Sequence, residues 1–185
     1  MEALFGGSFD PVHVGHLIVA EAAAEELGMP VRFVPAREQP LKRNAAASPE
    51  QRAAMLDLAI AGNPRFRVDR IELELPPPSY TVRTLRALAQ REPGNRFALL
   101  LGADAARELP VWWEADALAG LAEVIGLTRP GAPVPVGGPI SRTVQVPAID
   151  ISASTIRERV ARGRSTRYLV PDAVREYIAA QGLYR

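Results

Sequence analysis

Cysteine is absent from the chain, which removes disulfides, thiolate nucleophiles and thiolate metal sites in one step. Histidine is nearly absent: His13 and His16 are the only two in 185 residues. Neither sign of charge dominates. A formal net charge of +1 argues against a broad surface for nucleic acid, while leaving room for one cationic pocket around a small anionic ligand. Long apolar runs are missing too. The longest, Phe97 to Leu101, has the length of a strand and falls far short of the roughly 20 residues that cross a bilayer. Glu2 stands where a secretory signal would carry cationic residues. These absences lead to the expectation of a cytoplasmic protein without membrane or nucleic-acid partners. With 48% apolar and 23% charged residues, the chain has the composition of a folded globular protein. Its length favours one domain over residues 1–185, with a small helical part from about 151 to 185. Monomer and homo-oligomer both stay open.

What is present falls into an alternating order. Ala3-Leu4-Phe5 is a short apolar run ended by Gly6-Gly7, and Leu17, Ala20, Ala24 and Leu27 then recur at helical spacing up to Gly28. Val31 to Val34 reads as a second strand, followed by a polar loop from Pro35 to Ala47, long enough to suggest a function. Ser48-Pro49-Glu50-Gln51 carries the signals of a helix start, with Met55, Leu58 and Ala59 as its apolar face. Phe66 to Leu75 alternates apolar and charged residues, which predicts one or two half-exposed strands. Helical spacing returns over Thr81 to Arg91, and Arg96 to Leu101 reads as a buried strand. Helices are expected at about Ala103 to Glu108 and Glu114 to Gly120, and strands at Val124 to Leu127 and Thr143 to Val146. Two helices, Ser152 to Arg162 and Pro171 to Gln181, close the chain. Strands alternating with helices predict an α/β fold: a Rossmann-like, doubly wound parallel sheet with helices on both faces. Ligands bind such sheets beyond the carboxyl ends of the strands, where Gly6 to His16, Gly102 to Asp104 and Ile151 to Arg157 converge.

The stretch FGGSFDPVHVGH, Phe5 to His16, places both histidines beside a Gly-Gly turn and at the start of a helix. Glycines allow close backbone approach, and the free N–H groups of the helix start favour an anion such as a phosphate chain. Each imidazole can donate to phosphate oxygens. Taken alone, an H-x-x-H pair reads first as a structural turn with two partly exposed histidines. A zinc site is disfavoured, since no cysteine or third histidine is available as a further ligand. Near the other end, ISASTIRERV from Ile151 to Val160 joins hydroxyls at a helix start to Arg157 one turn in, although Thr155 and Glu158 could simply form a capping box.

The string GGSFDPVHVGH resembles the H-x-G-H signature of the adenylyl- and cytidylyltransferase superfamily, in the form typical of bacterial nicotinate-nucleotide adenylyltransferases. ISASTIRERV resembles the second signature of the same superfamily. The segments PSYT (Pro78 to Thr81), LGAD (Leu101 to Asp104), LPVWWE (Leu109 to Glu114), RPG (Arg129 to Gly131) and the closing YIAAQGLYR extend the similarity almost from end to end.

The resemblance implies a site for ATP built from Gly6, Gly7, Ser8 and Phe9 with His13 and His16. Gly102, Asp104, Ile151, Ser152, Ser154 and Arg157 complete it. For a nicotinate mononucleotide it implies Ser8, Lys42, Ser79, Tyr80, Thr81, Trp112, Trp113 and Arg129. His13, His16, Lys42 and Arg157 become the candidates for catalysis. Trp112 matches the tryptophan that stacks on the pyridine ring, though it could be a core aromatic, and one of the two tryptophans is expected in the wall and the other in the core. Arg129 matches an arginine facing the mononucleotide phosphate, or is a surface cation. Asp104 matches an aspartate near the ATP ribose, or caps the helix that it opens.

One position departs from the family pattern. The loop that commonly reads P-P-H-K is Gln39-Pro40-Leu41-Lys42 here, so any role of the missing histidine passes to Lys42, to Arg43 or to nothing. The implied reaction joins the mononucleotide 5′-phosphate to the α-phosphate of ATP and releases pyrophosphate. It needs charge neutralisation more than proton transfer, with Mg²⁺ carried by the ATP phosphates and no protein metal site. Two rivals stand beside it: another H-x-G-H enzyme such as phosphopantetheine adenylyltransferase, and a nucleotide-sensing module without chemistry.

Overall fold

The computed structural model describes residues 1–41 and 45–185. Among these, six strands form one parallel sheet in the order β3-β2-β1-β4-β5-β6: β1 Glu2–Gly7, β2 Val31–Pro35, β3 Phe66–Val68, β4 Phe97–Gly102, β5 Glu123–Thr128 and β6 Ile140–Gln145. The helices are α1 Val14–Leu27, α2 Pro49–Ile60, α3 Ile71–Glu74, α4 Thr81–Arg91, α5 Ala103–Glu108, α6 Leu118–Leu121, α7 Ala153–Ala161 and α8 Asp172–Ala180. The chain therefore has the α/β, Rossmann-like architecture that its alternating pattern predicts.

The two-residue period of the strands divides the core into two layers. Ala3, Phe33, Ala98, Leu100 and Ile125 pack on one face with α1, α2 and α8. Leu4, Val34, Leu99, Leu101 and Val124 pack on the other with α4 and α6. Because both faces are covered, β4 is apolar throughout, which is why Phe97 to Leu101 reads as a continuous run.

The chain winds outward from β1 through β2 to β3, then returns to lay β4 on the other side of β1. This reversal opens a crevice beyond the carboxyl ends of β1 and β4. Gly6-Gly7 and Gly102 stand at its mouth.

Several boundaries differ from the pattern-based reading for identifiable reasons. Phe66 to Leu75 is not a strand throughout: only Phe66–Val68 pairs, and Ile71–Glu74 is a helical turn. Asp69 makes the switch, its Oδ1 accepting the N–H of Ile71 at 3.0 Å while its carboxylate is held by Arg32 and Arg91. The helix expected over Glu114 to Gly120 is broken into a 3₁₀ turn, Ala115–Ala117, and the short α6, after Glu114 takes the left-handed conformation. The last strand begins at Ile140, three residues before Thr143. Ser152, not Thr155, caps α7, its Oγ accepting from the Thr155 N–H at 3.2 Å. The Ser48–Gln51 start forms as read, with reciprocal bonds of 3.2 and 2.9 Å.

Arg32 is fully buried at the amino end of the sheet, bonded to Glu2, to Asp69 at 2.9 Å and to Glu92 at 2.7 and 2.9 Å. Its hydrogen bonds hold the Glu92 carboxyl down to about 2. Removing one member of such a network strands the others. Arg32→Met is expected to lower the unfolding free energy by about 3–5 kcal/mol in urea denaturation. A loss under about 1 kcal/mol would mean that water screens the cluster.

Candidate active site

The turn between β1 and α1 owes its shape to two close approaches. A Cβ on Gly7 would stand 3.0 Å from the ring of Phe9, which is buried and folds back over the turn with φ 50°. A Cβ on Gly15 would stand 3.0 Å from Nδ1 of His13. Glycine at both positions lets the aromatic rings close on the backbone. The rings of His13 and His16 stack with centroids 3.7 Å apart and planes 26° apart, and Phe9 meets His16 edge-on at 5.1 Å.

This packing decides the protonation of both histidines. Burial lowers His13 to about 4, and burial with the neighbouring imidazole lowers His16 to about 3, so both rings are neutral near pH 7. The backbone N–H of His13 donates to Nδ1 of His16 at 3.3 Å, which leaves the His16 proton on Nε2. Among the described residues Nδ1 of His13 is buried without a partner, a position that tolerates a lone pair better than an unmet N–H donor, so its proton also sits on Nε2. Two Nε2–H donors result.

These groups line a cavity of about 850 Å³ that runs from the β1 turn across the end of β4 to the start of α4. Gly6, Gly7, Ser8, Phe9, His13 and His16 are on its wall, as are Gly102, Asp104, Ile151 and Ser152. Ser79, Tyr80, Thr81, Trp112, Trp113 and Arg129 line it at the other end. Its size is that of a site for small molecules.

Two expected residues are not brought to that wall. Ser154 spends its hydroxyl on Ser152 at 2.9 Å, and Arg157 donates from Nη1 to the Asp10 carbonyl at 2.7 Å. Ile156, fully buried, fixes the rotation of α7 that directs its neighbour Arg157 toward the histidine turn. Asp104 pairs with Arg107 and does not cap α5, whose capping position is Gly102. Lys42 lies outside the described residues, as does Arg43.

At the far end, α4 opens at Thr81 without a side-chain cap from Tyr80, so among the described residues no side chain pairs its first N–H groups. Trp113 is 45% exposed, its ring 5.0 Å from that of Tyr80, with Arg83 over both. Trp112 is half-buried against the second core layer. The two tryptophans thus have different surroundings, although both face the cavity.

Pattern reading passes over three groups that build this site. Glu72 lines the cavity buried, its Oε1 accepting from Thr84 Oγ1 at 2.7 Å, and burial raises it to about 7 against the hydroxyls of Thr84 and Ser79. Arg52, buried, donates to the carbonyls of Ser8 and Ala36 at 2.6 Å, Arg37 at 3.1 Å and Ala47 at 3.3 Å. Asp10, also buried, accepts from the N–H groups of Ala46 at 2.7 Å and Ala47 at 3.1 Å. Each of the three sits in a segment whose charge looks like ordinary surface charge until the tertiary fold is formed.

The cytidylyltransferase-like family model matches residues 4–159. The probable nicotinate-nucleotide adenylyltransferase of Roseiflexus castenholzii is 46% identical, covering 98% of this chain and 96% of its own. That of Thermus thermophilus is 44% identical over 98% of both chains. Among solved structures, Plasmodium falciparum nicotinic acid mononucleotide adenylyltransferase complexed with NaAD superposes with a TM-score of 0.77, covering 98% of this chain and 96% of that one. At 18% identity this last likeness shows the fold alone.

Glu72 supplies a test by pH. In the unfolded chain its carboxyl titrates near 4.5, in the folded chain near 7, so the folded protein holds the extra proton between these values. Its cost to stability is absent below about pH 4.5, grows as the pH rises to about 7 and is complete above it. Glu72→Gln is expected to raise Tm relative to the parent at pH 8 and to leave the difference near zero at pH 4.5. An equal difference at both values would contradict the raised carboxyl.

Proposed function

From the membership of this chain in the nicotinate-nucleotide adenylyltransferase family, we propose that it transfers the adenylyl group of ATP to nicotinate mononucleotide, giving nicotinate adenine dinucleotide and pyrophosphate in NAD biosynthesis. The observation that carries the reading is one continuous cavity with a phosphate-type turn at one end and an aromatic corner over an uncapped helix start at the other.

ATP takes the β1 end. Its triphosphate accepts from the Nε2–H groups of His13 and His16, with backbone approach allowed at Gly6 and Gly7. Neutral donors of this kind aim at developing negative charge without a charged side chain having to leave water. The nicotinate ring takes the corner of Tyr80, Trp112 and Trp113, and its carboxylate meets the first turn of α4, where the helix dipole favours a full negative charge over a carboxamide. Arg129 stands where the mononucleotide phosphate enters, and Lys42, by resemblance, approaches the triphosphate.

An oxygen of the 5′-phosphate then attacks the α-phosphorus of ATP. The new P–O bond forms as the bond to the β-phosphate bridging oxygen breaks, and pyrophosphate leaves with that electron pair. A phosphate monoester dianion carries no proton on the attacking oxygen, so no general base is required. Catalysis is positioning and charge stabilisation. Among the described residues, no group of three or more histidines, acids or cysteines gathers where it could hold a metal ion. As the resemblance implies, magnesium would ride on the ATP phosphates, as part of the substrate, where it would neutralise charge on the leaving group. Arg157 acts through the turn that it braces. Among the described residues, no helix is long and apolar enough to cross a membrane. Placement in the cytoplasm and any self-association belong to this proposal and are not needed by the chemistry.

Pyrophosphate release measured with ATP and nicotinate mononucleotide, against nicotinamide mononucleotide and phosphopantetheine, tests the assignment; activity on either alternative substrate in preference to nicotinate mononucleotide would overturn it. His16→Ala is expected to reduce kcat by about 10²–10³-fold with unchanged far-ultraviolet circular dichroism, the usual effect of losing one oxyanion-type donor. Parent-like kcat in that variant would remove His16 from the mechanism.

A further inference from the structure

Tyr184 lies 174 positions after Asp10 in the chain, yet its hydroxyl donates to Asp10 Oδ1 at 2.8 Å. Asp10 is 3% exposed. Its carboxylate accepts from three donors on two remote segments: the Ala46 and Ala47 N–H groups and the Tyr184 hydroxyl. Its backbone carbonyl takes a fourth, from Arg157. The same arginine approaches the carboxylate itself at 3.9 Å. Asp10 belongs to the turn that carries Phe9, His13 and His16, so whatever holds Asp10 holds the phosphate donors.

We propose that Tyr184 is a positioning residue of the active site, acting through Asp10 to fix the histidine turn and the Ala46-Ala47 segment in their ligand-binding geometry. This rests on the functional reading above and extends it to the far end of the chain. Three features support a positional role over simple packing. The tyrosine holds the left-handed conformation, φ 62°, which an L-residue seldom adopts unless its surroundings impose it. Its ring packs against the core layer that contains Phe9 and Val12, so the hydroxyl is delivered from a rigid base. The bond is charge-assisted, from a neutral phenol to a buried carboxylate; burial and Asp10 push the phenol's titration upward, so the donor proton stays in place. Without that donor, one lone pair of a buried carboxylate loses its partner, and Asp10 has reason to reorient toward water or Arg157.

Tyr184→Phe keeps the ring and removes only the bond. Two readouts separate position from packing. Amide hydrogen exchange at Ala46, Ala47 and residues 8–13 is expected to quicken by about tenfold or more, while α8 amides keep their parent rates. The kcat for ATP and nicotinate mononucleotide is expected to fall by about tenfold, with KM for nicotinate mononucleotide within about twofold of the parent and Tm lowered by only a few degrees. Asp10→Asn/Tyr184→Phe should be no slower than Asp10→Asn alone, because the two side chains act as one unit. Unchanged exchange at Ala46 and Ala47, or quickened exchange with parent-like kcat, would overturn the proposal. If the parent protein turns over neither mononucleotide, the functional reading fails separately, and weaker calorimetric binding of a non-hydrolysable ATP analogue to Tyr184→Phe still decides the role of Tyr184: equal affinity refutes it.

Discussion

Two buried side chains of opposite charge, Asp10 and Arg52, hold the ends of the loops from which this site is made. They divide the work by chemistry. Arg52 gathers carbonyl groups, from Ser8, Ala36, Arg37 and Ala47, and Asp10 gathers N–H groups, from Ala46 and Ala47. Loops leave backbone polar groups without ladder partners, and burying those groups unpaired would cost about 1–3 kcal/mol each. A guanidinium with five donors and a carboxylate with about four acceptor positions meet that need with two residues. The result is a turn whose geometry is set before a ligand arrives, which is the condition for electrostatic stabilisation without reorganisation.

The histidines gain their chemistry from the same packing. Stacked at 3.7 Å, with Phe9 and Phe5 edge-on to His16, they cannot both carry protons without repulsion in a poorly hydrated place. Neutral imidazoles with fixed tautomers are directional donors. A pair of lysines would bring more charge but would have to give up strong hydration and long, mobile side chains on binding. The crevice therefore relies on aim at its phosphate end, and on the uncapped start of α4 at the other.

Much of this was legible in the residues. Gly6-Gly7 before a helical pattern located the turn, and the alternation of apolar runs with helical spacing predicted the parallel sheet. The aromatic corner followed from PSYT and the adjacent tryptophans only through family resemblance. Asp10 and Arg52 escaped notice because a charge next to Pro11, or in a helix between Gln51 and Ala53, carries no periodic sign of burial. Phe66 to Leu75 misled for a related reason: its alternation is real, but Asp69 is drawn inward by Arg32 and ends the strand by capping Ile71. Arg157 sat at the right spacing from its motif, and only the burial of Ile156 shows which way it turns. Period and propensity describe single elements, whereas these groups are placed by contacts up to 174 residues away along the chain.

With two histidines in the chain, nitrogen-15 imidazole spectra contain only the two resonance sets that matter. The account predicts that at pH 7 both rings are neutral Nε2–H tautomers, that neither gains a proton down to about pH 5, and that a non-hydrolysable ATP analogue with magnesium shifts both Nε2 signals. An Nδ1–H tautomer at either ring, protonation near the ordinary pH of 6.5, or spectra indifferent to the analogue would contradict it.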